Sequence, residues 1–278
     1  MTRALALLSL ALVLAACGTN LSTMTPAETT PAGHVRVATG VGVSVPTNSL
    51  SGLIDAGETA AKRAAAGETL TDAEREELFG ATLAGLLALP SVNPELQARV
   101  GLHDRVDLGL RLGAGSIRLD SRVSLTTPQT TRDGSLAISI GLGLGYYAFA
   151  IPLPSFTEDV VKADDYTRYE LDVPLLFGWS TDIWRVWVGP KVVFTSYDVA
   201  LRLVAPAETA LANAGGTQTF LAAQAGAALG FRYGWIVLEL TASYGLGGAD
   251  VNIIGQATRA VSTNDWIIYP TVGLLVEI

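Results

Sequence analysis

Residues able to do covalent or proton chemistry are scarce in this chain: 278 residues hold two histidines, His34 and His103, and one cysteine, Cys17. A general base must sit within hydrogen-bond reach of the proton it takes. Both imidazoles fall at one edge of the expected topology, where they read as interfacial side chains rather than as a base. No His, Cys or carboxylate cluster has metal-ligand spacing. The run Gly141-Leu142-Gly143-Leu144-Gly145 mimics a nucleotide fingerprint, but its glycines share one face of a strand and no helix follows, so it reads as wall packing. No catalytic residue, cofactor or metal is expected, and the chain is not expected to be an enzyme. The abundant chemistry is electrostatic. Arg99, Asp107, Arg111, Arg118, Asp120, Arg122, Arg168, Glu170, Asp172, Arg185, Lys191 and Glu239 interrupt apolar stretches at alternate positions.

Strands explain that period, because successive side chains point to opposite faces. In Arg168-Tyr169-Glu170-Leu171-Asp172-Val173 the odd positions are apolar and the even ones ionised. The same rule predicts strands over Val35 to Val45, Leu96 to Leu102, Val106 to Leu112, Ile117 to Leu125 and Ser135 to Ala150. Five more follow over Tyr166 to Ser180, Ile183 to Tyr197, Thr217 to Phe231, Trp235 to Gly245 and Asp265 to Ile278. The charged face also carries Arg36, Glu95, Arg105, Asp265 and Glu277, so the two signs nearly cancel. Opposite charges on neighbouring strands can pair, and Arg forks hold carboxylates in bidentate fashion. A self-satisfied polar core follows from this, with a charged, water-filled solute pathway as the alternative. Alternation alone does not say which face is outside.

Composition narrows the setting. The chain is 49% hydrophobic with 29 glycines and a mean hydropathy of +0.38. Past the N-terminus no apolar run reaches the roughly 18 residues of a spanning helix. A closed barrel is the other way to cross lipid, since it satisfies every backbone group without a free edge. The formal charge of -8 argues against nucleic acid, which requires clustered cations. One cysteine excludes an internal disulfide framework.

Arg3 followed by the apolar run Ala4 to Val13 reads as a secretory signal over residues 1–16. Leu14-Ala15-Ala16-Cys17-Gly18 resembles a bacterial lipobox. That resemblance implies a diacylated Cys17 as the mature N-terminus, handled by the lipoprotein-sorting machinery, and the residue after Cys17 not being Asp fits delivery to the outer membrane. Each buried lipid CH₂ adds about 0.8 kcal/mol, so several chains anchor firmly. Residues 17–33, rich in Thr, Pro and Ala, read as a flexible tether.

The region 34–278 resembles a bacterial outer-membrane β-barrel: all-β, antiparallel, of about ten strands, with a helical insertion at 49–90 in the first outer loop. Its closing alternation of Val272, Leu274, Val276 and Ile278 is similar to the signal read by the barrel-assembly machinery, with Ile278 where the family usually ends in Phe. Short turns at His103-Asp104, Ser180 to Asp182 and Tyr233-Gly234 would face the periplasm. Pro46 to Pro94, Pro152 to Asp165, about Leu201 to Gly216, and Gly247 to Asn264 would form outer loops. Gly113 to Ser116 is short where the pattern asks for length, and the connection around Thr127 to Gly134, which would face the periplasm, is a little long for that side. Both chain ends then fall in the periplasm, where an acylated Cys17 would anchor in the inner leaflet. Trp179, Trp184 and Phe231 toward one rim, and Tyr146, Phe194, Tyr244 and Trp266 toward the other, suit two membrane interfaces. Omptin proteases are ten-stranded barrels and lipid A deacylases are barrels too, but both need a histidine at the outer mouth, where this topology places none.

The insertion switches to helical spacing, with Thr71 and Glu74 as a capping box before Leu78, Phe79, Leu83, Leu86 and Leu87. It packs on itself, over the barrel mouth or on a partner. Acidic residues there and around Glu158 to Asp165 give an acidic outer rim. The expected function is a structural or binding role in the outer membrane, whose bilayer is the first partner. A narrow channel for small solutes is one alternative. A soluble periplasmic lipoprotein barrel is another, holding a lipid or apolar ligand among valines and leucines turned inward.

Overall fold

The computed structural model describes residues 20–47, 49–74, 77–78, 80–81, 91–113, 115–126, 129–131, 134–147, 161–205, 208–231, 233–253, 258–262 and 264–278. The elements in chain order are β1 (Val35–Pro46), α1 (Ser49–Ala66), β2 (Ser91–His103), β3 (Val106–Gly113), β4 (Ser116–Ser124), β5 (Gln129–Thr131) and β6 (Gly134–Tyr147). They continue as β7 (Val161–Ser180), β8 (Trp184–Ala205), β9 (Glu208–Phe231), β10 (Gly234–Ile253), β11 (Arg259–Ser262) and β12 (Asp265–Glu277). Ten strands pair antiparallel around a closed ring, and the short β5 and β11 add to the edges of β6 and β10. Closure is made by β1 on β12, in register from Arg36 opposite Glu277 to Pro46 opposite Ile267. Every wall strand therefore finds two ladders, which is what a sheet needs to lie in lipid without an edge.

Apolar side chains on the outward parity are exposed and charged ones on the inward parity are buried. Leu96 is 49% exposed, Leu238 59% and Leu144 63%, while Arg118, Arg168, Glu170 and Lys191 are at most 3%. This is a barrel of the transmembrane type. The soluble alternative required leucines and valines inside, and the burial pattern overturns it. Trp184 and Phe231 ring the end with the short turns, and Tyr146, Tyr169 and Trp266 the other, with Tyr146 on Tyr169 and Tyr244 on Trp266 at centroid distances of 5.3 and 5.0 Å.

The strands run longer than expected on one side. The loops expected near 201–216 and 247–264 are largely strand: β8 and β9 stay in register from Trp184 opposite Leu229 to Ala205 opposite Glu208, and β10 reaches Ile253 beside β11. Ala, Asn and Gly in Ala212 to Gly216 have weak strand preference, but a continuous ladder on both sides outweighs propensity. On β9 the outward apolar positions run from Phe231 to Leu221 and then give way to Thr219 and Thr217. That span of eleven residues matches the roughly 9–11 of a tilted membrane strand. The rest of this 24-residue strand projects beyond the apolar belt. By contrast β3 and β4 have only 8 and 9 residues, so the wall is low there. The loop expected over Pro152 to Asp165 lies mostly outside the described residues, and β7 already begins at Val161.

The insertion is helical at its start, as α1, and again after Thr71; its end, at 82–90, lies outside the described residues. The capping box forms: the Glu74 amide donates to Thr71 Oγ1 at 3.3 Å, and the Thr71 amide and hydroxyl donate to Glu74 Oε2 at 2.9 and 2.8 Å. Those bonds, with Arg63 behind them, hold the Glu74 carboxyl below the usual carboxylate range. Its contribution is therefore present at neutral pH and lost as pH falls through the depressed value. Thr71→Ala should lower local helix stability by about 1 kcal/mol. Faster amide exchange over residues 72–78, with the barrel amides unchanged, is the expected readout.

Candidate functional site

The lumen holds a segment that the sequence pattern places elsewhere. Asn20 to Thr30, expected as part of a flexible tether, lie inside the barrel, with Leu21, Ser22, Met24, Ala27 and Thr30 at 0% exposure. They form a strap that enters the lumen near Glu95 on β2 and leaves at the short-turn end. There Pro31 to His34 reverse the chain into β1: the His34 amide donates to the Pro31 carbonyl, and the Gly33 amide to the Gly101 carbonyl, both at 3.0 Å. Gly33 sits at φ +77°, a left-handed conformation that glycine adopts without penalty. Gly101 leaves room for the exit, since a Cβ there would overlap the Pro31 carbonyl.

The strap is held through its backbone, which is why its side chains can be small. Lys191 Nζ donates to the carbonyls of Leu21 and Ser22 at 3.0 and 3.3 Å. Arg111 donates to the carbonyls of Ser22 and of Thr23, the latter at 3.1 Å. Arg122 reaches the carbonyls of Pro26 and Glu28 at 2.6 and 3.0 Å. In the other sense, Glu239 accepts from the Thr23 amide at 2.7 Å, the Thr23 hydroxyl at 2.8 Å, the Met24 amide at 3.1 Å and Trp187 Nε1 at 3.2 Å. Met24 adopts φ +48°, bringing two successive amides onto that one carboxylate. Asp107 closes the lower end, accepting from the Thr30 amide at 2.8 Å. The barrel is plugged by its own chain.

Around the strap the charges sort into three groups. Asp107 pairs with Arg99 at 2.6 Å and Arg122 at 2.7 Å, and Arg99 also pairs with Asp120. Toward the extended end Arg118 joins Glu170 and Asp172 at 2.5 and 2.6 Å, Arg168 joins Glu170 at 2.7 Å, and Lys191 joins Asp172 at 3.1 Å. At the short-turn mouth Arg36 and Arg185 share Glu277, and Arg185 also meets Glu28 of the strap at 3.2 Å. The opposite wall is apolar: Leu21 packs with Val193, Phe220, Ile267 and Tyr269, and Met24 and Ala27 with Leu176, Trp187, Val237 and Leu275.

The structure thus places the charged residues singled out in the sequence on the lumen side, Arg185 at its mouth. Arg105 is a correction: it is exposed at the β2–β3 turn, where the strand has ended and parity no longer orients side chains. Sequence reading missed the strap itself, Trp187, Gln224 and the apolar inner wall. His34 and His103 are both exposed at the short-turn end. His103 lines a cavity of about 580 Å³ there, beside Arg36, Arg185 and Glu277. A separate small space of about 20 Å³ lies between Thr23, Arg111, Arg122 and Asp172, room for about one water.

No protein-family model matches the chain, and none of the curated proteins matches it in sequence. Among solved structures it is similar to the outer membrane protease OmpT from Escherichia coli, with a TM-score of 0.47, 6% identity, and coverage of 90% of this chain and 98% of that one. A major outer membrane protein from Thermus thermophilus gives 0.36 and 8%, covering 88% and 99%. The attachment invasion locus protein Ail of Yersinia pestis gives 0.34 and 7%, covering 89% and 99%. These likenesses concern shape, and no residue role is carried over from them.

Proposed function

We propose that this protein is an outer-membrane barrel sealed by its own N-terminal segment, with a structural or binding role in the envelope and no catalytic chemistry. The observation that carries the reading is the strap: backbone-bonded chain occupies the lumen from Glu95 to the short-turn end, where a solute would have to pass. The exposed apolar belt supports a bilayer as its surroundings. The short-turn end then faces the periplasm and the extended β7–β10 sheet faces outward. The reading keeps acylation of Cys17, which lies outside the described residues.

A narrow channel is the second reading, favoured by the 580 Å³ mouth cavity, and it requires the strap to leave. Planar-bilayer recording separates the two. The full chain should show no ohmic steps, and a variant lacking residues 20–30 should conduct. Steps from the intact chain, with the strap amides still protected from exchange, would sink the sealed-barrel reading. Both proteins must first show a heat-dependent change in electrophoretic mobility, so that silence is not mistaken for misfolding.

A further inference from the structure

One sector of the lumen is lined with oxygen and carries no basic side chain. On the inward face of three adjacent strands, β2 supplies Ser91, Asn93 and Glu95, β1 supplies Gly40, Gly42 and Ser44, and β12 supplies Tyr269, Thr271 and Gly273. Arg36 and Arg99 of the same strands sit lower, toward the short-turn end. The glycines leave the wall bare, and two side chains lie across it: Met24 over Gly40 and Gly273, and the Tyr269 ring over Gly42, where a Cβ would overlap it. Tyr269 thereby crosses β1 and brings its hydroxyl to Asn93 and Glu95. Five oxygens here are buried without a hydrogen-bond partner: Ser44 Oγ, Asn93 Oδ1, Glu95 Oε1, the Tyr269 hydroxyl and Thr271 Oγ1. Their residues are at most 4% exposed. Glu95 Oε2 accepts from Asn20 Nδ2 at 2.9 Å, which leaves Oε1 with nothing. Asp107, Asp120, Glu170 and Asp172 each meet an arginine or lysine, whereas among the described residues Glu95 forms no ion pair. Arg111, on the diagonal, gives its terminal nitrogens to the carbonyls of Ser22 and Thr23.

We propose that this sector binds one hard monovalent cation such as sodium through Glu95 Oε1, Asn93 Oδ1 and the Tyr269 hydroxyl, and that the ion ties β2 to β12 across β1. Glu95 Oε1 and Asn93 Oδ1 only accept, and the Tyr269 hydroxyl has one proton, enough for one of them. A buried carboxylate without a counter-charge is costly. Carboxylate and carbonyl oxygens suit hard ions, and a single carboxylate matches a single positive charge, whereas a divalent ion would leave an excess buried. The position also has a structural use. The β1–β12 ladder that closes the ring is interrupted between Gly42 opposite Thr271 and Val45 opposite Ile268. Pro270 lies in that gap and has no amide proton to give, and Ser44 lies there with its hydroxyl unpartnered. An ion held by side chains of β2 and β12 bridges the seam where the backbone does not. The proposal rests on the sealed-barrel reading, because Asn20 closes over Glu95 only while the strap is seated.

The test uses the full chain folded in detergent and exchanged into choline chloride, with sodium chloride replacing choline at constant ionic strength. Equilibrium binding of radioactive sodium should saturate at one ion per chain. At about ten times the dissociation constant, the unfolded-to-folded ratio in urea should fall about elevenfold. Glu95→Gln keeps the shape and an acceptor for Asn20 but removes the charge, so it should bind no sodium and be equally stable in both salts. Tyr269→Phe should weaken binding about tenfold or more, and it carries the test if Glu95→Gln does not fold. Exchange of the Thr23 and Met24 amides is followed in both salts. Protected amides in a chain that binds no sodium would overturn the proposal, leaving the orphan oxygens to water and the sealed-barrel reading standing. Undiminished sodium binding by folded Glu95→Gln would overturn it as well. If the two amides exchange freely in both salts, the sealed-barrel reading itself fails and takes the proposal with it.

Discussion

Glu239→Ala should release the strap while leaving the barrel closed. Glu239 is 4% exposed and is the acceptor for two successive strap amides, a strap hydroxyl and the Trp187 indole. Truncation leaves the Thr23 and Met24 amides and the Trp187 indole buried without that acceptor, at about 1–3 kcal/mol each, while the Thr23 hydroxyl keeps Gln224 at 3.3 Å. Because they share one carboxylate the losses do not simply add, and we expect on the order of 3–6 kcal/mol off strap docking. At tenfold per 1.4 kcal/mol, the Thr23 and Met24 amides should exchange at least a hundredfold faster. The β10–β12 ladder around Glu239, from Trp235 to Gly245, should keep its protection. Unchanged exchange at Thr23 and Met24 would mean that the strap is not held there.

Asp107→Ala should strongly destabilise the barrel itself. Its carboxylate is fully buried, bridges Arg99 and Arg122, and caps the Thr30 amide. Removing one partner of a buried ion pair costs about 3–5 kcal/mol, because the remaining charge has neither water nor counter-ion. The check is a fall in the guanidinium midpoint of unfolding in detergent. The double change Asp107→Leu with Arg122→Leu should recover much of that loss, since exchanging a buried pair for apolar side chains is often near neutral. Arg63→Ala, which removes exposed pairs to Glu68 and Glu74, should leave the midpoint nearly unchanged, because water and salt screen such pairs. If the three variants lose equal amounts, the lumen charges are not behaving as a desolvated network.

The wall was legible because two opposite environments act on adjacent residues. Arg118, Leu119 and Asp120 face inward, outward and inward, and no helix or linker would tolerate that order. The strap was not legible because Thr23, Thr25, Pro26 and Ala27 show no period, and a segment bound by its backbone requires the small side chains that a flexible linker also has. One trace was present. Arg111 faces Gln97 and Arg118 across its strand neighbours, and Lys191 faces Pro174 and Ala222, so neither cation has an acid directly opposite. Both donate to carbonyls of a segment that lies in no strand, Lys191 meeting Asp172 as well on a diagonal. The inner wall of β8 to β12 escaped for a related reason: Val193, Phe220 and Ile267 are apolar inside, which blurs the alternation where the strap's Leu21 packs.

The reversal at Pro31 to His34 sets an order of events in time. The strap is continuous with β1, the first strand made, while the lumen exists only once β12, the last, has zipped onto β1. A segment continuous with β1 and bonded to β3, β4, β8 and β10 enters most simply by lying against the growing sheet before the ring shuts, and its many carbonyls then give Arg111, Arg122 and Lys191 neutral company while the ring is still open. Closure then becomes an act of wrapping around the chain's own beginning.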